Sequence, residues 1–164
     1  MRPHRLDDFE NSAALWADEN VVRRITGKTS TRSESWSRLL RYIGHWHALN
    51  FGYWVVEDRV TGAFLGEVGF ASYKRDISPS IDRWPEIGWV LASHAHGRGL
   101  ASETVAAALT WGDGNLAADR TVCIFDPEHR ASIRVAEKNG YAEKCHASFA
   151  GNLTLIMERM KPEN

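Results

Sequence analysis

The stretch SHAHGRGLASE, from Ser93 to Glu103, sets Gly97 and Gly99 two positions apart at the mouth of an apolar helix, with His94, His96 and Arg98 around them. The free N–H groups of a helix's first turn, together with the helix dipole, attract anions and above all phosphates. Glycines let the main chain approach such a group with no Cβ in the way. His96 and Arg98 can add charge. The same G-x-G pattern also makes a tight structural turn, and the pattern alone leaves both readings open. A dinucleotide-binding fingerprint is excluded, because Ser102 stands at the third glycine position and no βαβ unit opens the chain. Gly27-Lys28-Thr29 lacks the upstream glycine and the apolar strand of a P-loop. His94, His96 and His129 have no carboxylate or cysteine at ligand spacing, so no metal is expected.

Two elements must hold the glycine loop. EIGWVLA (Glu86–Ala92) reads as a buried strand, and Leu100–Gly112 is alanine-rich with apolar residues at helical spacing. Upstream, Leu6, Phe9, Ala13 and Trp16 predict a helix over Leu6–Ile25, and Trp36, Leu39, Leu40, Ile43 and Trp46 a second over Trp36–Asn50. The period then changes to that of a hairpin, Gly52–Asp58 and Ala63–Tyr73, followed by a polar loop, Lys74–Pro85. After the central helix, Arg120–Asp126 reads as a strand. Asp126 and Pro127 signal a helix start, Asn139-Gly140 ends that helix, and Tyr141–Ser148 with Asn152–Arg159 predicts a last hairpin. This order gives a mixed α/β domain whose parallel pair is formed by the two strands flanking the central helix.

With 164 residues, 43% hydrophobic and 25% charged, the chain is expected to be one globular domain, residues 1–164. Lys plus Arg number 20 against 21 Asp plus Glu, which argues against a nucleic-acid partner. No apolar run approaches the roughly 20 residues that cross a bilayer, and MRPHRLDDFE has no apolar signal core. No membrane partner is expected, and cytoplasmic is the expected location. Cys123 and Cys145 read as buried thiols of a reducing compartment.

EIGWVLASHAHGRGLASETV resembles the cofactor motif of the bacterial GCN5-related N-acetyltransferases, Arg/Gln-x-x-Gly-x-Gly/Ala, and in particular their ribosomal-protein alanine acetyltransferase branch. HRASIRVAEKNGY (His129–Tyr141) is similar to that branch's Asn-x-x-Ser-x-x-Val-x-Glu-Lys-x-Gly-Phe/Tyr. His94 replaces the motif's Arg or Gln, His129 replaces its Asn, and little of the family's first strand precedes Arg2-Pro3. The resemblance implies a mostly antiparallel mixed sheet flanked by helices, with a splayed central parallel pair formed by Glu86–Ala92 and Arg120–Asp126. It implies acetyl-coenzyme A in the splay. The pyrophosphate would lie on Gly97, Arg98, Gly99, Leu100 and Ala101 with His94 and His96 beside it. The pantetheine arm would lie along Val90, Leu91 and Ala92 and near His129 and Ser132.

Acetyl transfer to an amine needs a deprotonated nitrogen, a polarised thioester carbonyl and a proton for the departing sulfur. Ser132 is the first candidate for the proton donor, and a helix-start hydroxyl bonded to main chain is its competing reading. Tyr141 is the second, against a core aromatic. Glu86 and Glu67 are candidate bases, against ordinary solvent-facing carboxylates. Trp54, Phe70, Trp84 and Trp89 could line the acceptor pocket or fill the core. The acceptor is expected to be a small amine or a peptide N-terminus, and the protein a monomer or homodimer. A coenzyme A-binding module without turnover is the alternative of a different class.

Overall fold

The computed structural model describes residues 1–162. Seven strands form one sheet in the order β1-β2-β3-β4-β5-β7-β6. They are β1 (Arg2–Pro3), β2 (Tyr53–Glu57), β3 (Phe64–Ala71), β4 (Glu86–Leu91), β5 (Arg120–Phe125), β6 (Ala142–Phe149) and β7 (Asn152–Met160). All neighbours are antiparallel except β4 and β5. The short first strand is an edge of two residues, Arg2 opposite Val55 and Pro3 opposite Trp54.

The helix predicted over Leu6–Ile25 is broken. A 3-10 turn (Leu6–Asp8) leads into α1 (Phe9–Ala17), and α2 (Glu19–Val22) is separate. Asp18 leaves helical geometry (φ −80°, ψ 112°) because its carboxylate accepts from the Asn20 amide, capping a new helix. The second helix, α3 (Arg32–Leu49), starts four residues before Trp36. Thr31 and Glu34 form a capping box there, and Asn50 ends the helix at φ 58°. The central helix α4 runs Leu100–Asn115, through Gly112 and Gly114. The last helix α5 (Arg130–Lys138) begins later than expected, with His129 rather than Asp126 as N-cap. Asp126 instead folds a turn, its carboxylate accepting from the Glu128 amide at 2.8 Å and its carbonyl from that of His129.

Strand alternation separates two faces. Trp54, Val68, Phe70, Ile87, Leu91 and Cys123 pack toward α4 and α5 in the main core. Trp46 and Trp111 close edge-on around Trp54, at 5.0 and 5.1 Å. Trp54 and Phe70 are therefore core residues and not an acceptor-pocket lining. On the opposite face, Val90 packs with Leu15, Trp16, Val21 and Val22 of α1 and α2. The Lys74–Pro85 loop lies over the other half of that face, Ile77 and Ile81 packing on Val122, Ala147 and Ile156. Ser78 forms a bridge with Ser148 of β6. Cys123 is buried and Cys145 half-buried.

Candidate active site

β4 and β5 share one ladder pair, Glu86 with Val122, beside a 3.1 Å bond from the Val122 amide to the Pro85 carbonyl. Beyond that rung the strands part toward their C-terminal ends. The parting exposes main-chain groups on one edge of β4. The Ala92 amide bonds the Leu65 carbonyl of β3, and the Val90 carbonyl lies against Gly66 of β3. By alternation, Leu91 and Trp89 turn their N–H and C=O groups into the opening. Of the three residues expected to meet the pantetheine arm, Leu91 is the one so turned, and Val90 and Ala92 serve the sheet. On the helix side Trp89 and Phe125 approach across the gap, ring centroids 5.4 Å apart.

The chain leaves β4 through a 3-10 turn, Ser93–Ala95, that carries exposed His94. Gly97 (φ 73°) and Gly99 (φ 78°) both adopt the left-handed region, and a Cβ on either would meet no atom within 4 Å. Gly99 is the N-cap of α4 and supplies no side-chain cap. The first-turn amides, those of Leu100 and Ala101 among them, therefore face out without an intrahelical acceptor. This is an open cradle of donors at the end of the parting strands, and it fits a pyrophosphate. Arg98 is exposed at its rim, and His96 is committed otherwise, its Nε2 donating to the Leu91 carbonyl at 2.8 Å.

Ser132 is half-buried one turn into α5. Among the described residues its Oγ is paired with His129 Nε2, at 3.3 Å, and not with main chain. Burial lowers the His129 pKa below its ordinary 6.5; Asp126 opposes the shift, and Arg24 and His96 add to it. Arg24 reaches from the end of α2 to Glu128 (2.8 Å) and Asp126 (3.4 Å), tying the β4 side of the opening to the β5 side. Tyr141 lies apart from this group. It is 3% exposed, its hydroxyl is bonded to Thr121 at the closed end of β5, and burial raises its pKa. The structure thus brings Ser132 and His129 together and leaves Tyr141 in the core.

Glu86 sits at the apex of the opening, on the face away from α4, and is 7% exposed. Arg75 grips it twice, Nε to Oε2 at 2.6 Å and Nη2 to Oε1 at 2.7 Å. Glu67, the other candidate base, is fully buried and accepts from Ser12 Oγ (2.6 Å), Trp16 Nε1 (2.9 Å) and His4 Nε2 (3.3 Å). It ties α1 to the sheet and does not reach the opening. Trp84 is half-buried among Arg83, Arg120 and Lys144. Sequence reasoning missed Arg75 as the partner of Glu86, and it missed Tyr53, whose hydroxyl lies over Gly88 of β4. A cavity of about 320 Å³ lies between α5 and the β6–β7 hairpin, lined by Arg130, Ile133 and Tyr141 among others. Among the described residues no three His, Cys, Asp or Glu side chains converge as metal ligands, and no helix is long and apolar enough to cross a membrane.

Residues 1–142 match the family described as the acetyltransferase (GNAT) domain. The uncharacterized protein YkkB of Bacillus subtilis (strain 168) is 36% identical over 132 residues, covering 77% of this chain and 70% of its own. A solved structure from Bordetella pertussis, assigned to the GnaT acetyltransferase family, is 30% identical with a TM-score of 0.84, over 96% of this chain and 93% of that one. The spermidine N-acetyltransferase of Vibrio cholerae, solved with CoA and spermine, shares the fold at TM-score 0.76 and 19% identity, over 98% of this chain and 94% of that one. With a family match over most of its length and a splayed β4–β5 pair leading to a glycine cradle, this chain belongs to the GNAT acetyltransferase family.

Proposed function

We propose that this enzyme transfers the acetyl group of acetyl-coenzyme A to the primary amine of a small molecule, by direct attack within a ternary complex. The observation that carries the reading is the cradle at Gly97–Ala101, set where β4 and β5 part after their single paired rung. When bound, the thioester supplies an activated acyl carbon, whose bond to sulfur is exchanged for one to nitrogen while the amine loses a proton and the sulfur gains one. The α4 amides hold the diphosphate. The opening-side N–H groups of Leu91 and Trp89 and the Trp89 carbonyl align the pantetheine arm, and one of the N–H groups polarises the thioester carbonyl. Ser132 holds a proton on Oγ for the sulfur, and Glu86 is the acid–base candidate on the acceptor face. A small amine is favoured because α1–α3 and the Lys74–Pro85 loop cover that face from both sides. The Arg24 bridge also crosses the opening.

Calorimetry with acetyl-coenzyme A, followed by thiol release over polyamines, amino acids, aminoglycosides and short peptides, tests this. Release with at least one small primary amine is expected. Release with peptides only would make the acceptor a protein N-terminus, as in the ribosomal-protein branch. Binding without release across the panel would make the chain a coenzyme A-binding module. The cradle has its own test, Gly99→Asp. At φ 78° any side chain is strained, which costs about 1–3 kcal/mol. The carboxylate would also repel the diphosphate, so affinity for acetyl-coenzyme A is expected to fall by at least about 2 kcal/mol. Gly99→Ala carries the strain without the charge and should fall less. Unchanged affinity in a folded Gly99→Asp protein would remove the phosphate role from the loop.

A further inference from the structure

Two glycines face each other in the middle of the sheet, Gly69 of β3 opposite Gly88 of β4. Glycine inside a strand weakens it, and it commonly marks a place where backbone or a ligand must come close. Here the lane they leave is taken by Tyr53. A Cβ on Gly69 would stand 2.3 Å from the Gly52 carbonyl oxygen and the Tyr53 Cα, and one on Gly88 would stand 2.1 Å from the Tyr53 hydroxyl. The side chain therefore crosses β3 from β2 and ends on β4, two residues past the last rung shared with β5. The ring is fixed by stacking on Tyr42, centroids 4.4 Å apart and planes 7° from parallel. The Tyr53 carbonyl accepts from Trp46 Nε1 at 2.8 Å and His4 Nδ1 at 3.1 Å. Nothing in the main core requires this hydroxyl, since it lies on the face away from α4.

We propose that the Tyr53 hydroxyl is a contact for the acceptor amine, accepting a hydrogen bond from its N–H and so aiming the nitrogen lone pair at the opening between β4 and β5. This rests on the acetyl-transfer reading above. The groups around the hydroxyl suit an amine. Glu86, paired with Arg75, lies on the same face two residues before Gly88, and the phenols of Tyr42 and Tyr73 flank Tyr53. Burial raises the pKa of Tyr53 well above the ordinary value, with the charges of Tyr73, Tyr42 and Glu86 adding to it. The phenol thus stays protonated throughout an assay. A protonated phenol keeps oxygen lone pairs that accept from a donor such as an amine.

Tyr53→Phe keeps the ring, the stack and the main-chain bonds, so the protein should melt near the wild-type temperature. With the best amine of the panel, KM for the amine is expected to rise about tenfold, with kcat lowered and acetyl-coenzyme A affinity unchanged. Gly88→Ala would collide with the hydroxyl, whereas in Gly88→Ala/Tyr53→Phe the methyl meets only the ring carbon at 3.3 Å. The double variant should fold and remain as slow as Tyr53→Phe. Amine KM and kcat within twofold of wild type in Tyr53→Phe, or wild-type turnover in the double variant, would overturn the proposal. A wild-type protein that releases thiol with no amine would overturn the acetyl-transfer reading, and this proposal with it.

Discussion

Replacing Glu67 with leucine is expected to destabilise the protein by about 4 kcal/mol, because it leaves three buried donors without an acceptor at about 1–3 kcal/mol each. At 2–4 °C per kcal/mol for a chain of this size, the melting temperature should fall by about 8–16 °C. The carboxylate is fully buried, and three donors from two segments converge on it: His4, directly after β1, and Ser12 and Trp16 from α1. His4 is equally sealed, and both its ring nitrogens face acceptors, Glu67 and the Tyr53 carbonyl. A leucine would fill the volume and leave those donors without an acceptor in a place water does not reach. Glu67→Gln keeps one oxygen and should lose less than half as much. Because Glu67 faces α1 and not the opening, a folded Glu67→Gln enzyme should keep kcat within twofold. A Leu variant within 1 kcal/mol of wild type would show that α1 is held by its apolar contacts alone.

The central unit was legible because several signals coincide there. Ile87–Ala92 is an apolar run after Glu86, Gly97 and Gly99 follow it, and the alanine-rich helix comes next with its own period; β4, the cradle and α4 appear where those signals place them. The break at Asp18 was hidden because apolar spacing continues across it, and only the side-chain cap on Asn20 ends the first helix. Asp126-Pro127 carries a helix-start signal, yet the Asp126 carboxylate is used by the turn before His129. The acceptor side was largely illegible. No spacing connects residues 53, 69 and 88, so a tyrosine laid across two glycines emerges only once β2, β3 and β4 are in register. The grip of Arg75 on Glu86 arises in the same way, from a loop folding back on the strand it precedes. Trp54 and Phe70 show the opposite error. Their chemistry suits a pocket, but the strand pleat turns them toward Trp46 and Trp111.

Ser132→Ala is expected to lower kcat on the order of 10²-fold while leaving affinity for acetyl-coenzyme A nearly unchanged. A serine hydroxyl is a weak acid, so its usefulness to a departing thiolate depends on what else holds it. Here His129 Nε2 lies 3.3 Å from Oγ, at the N-cap of the same helix. Burial keeps the imidazole pKa below 6.5, so at pH 7 and above the ring is neutral and one nitrogen carries the hydrogen. If that nitrogen is Nε2, it donates to Oγ, polarises the hydroxyl and turns the Oγ–H away from the ring toward the sulfur. His129→Asn, which restores the residue usual in the motif, should then lower kcat less than Ser132→Ala. Combined with Ser132→Ala it should add little, because both act through one proton. The sign of the pH effect follows from the same shift. The ratio of wild-type to His129→Asn kcat should be flat from about pH 7 upward, where the amine's own ionisation affects both enzymes alike, and should change as pH falls below the ordinary histidine range and the ring takes a second proton. A Ser132→Ala enzyme with wild-type kcat and a lowered melting temperature would make the hydroxyl a helix-start group, and the proton would then come from water. A double variant slowed by the product of the two single effects would separate Ser132 from His129.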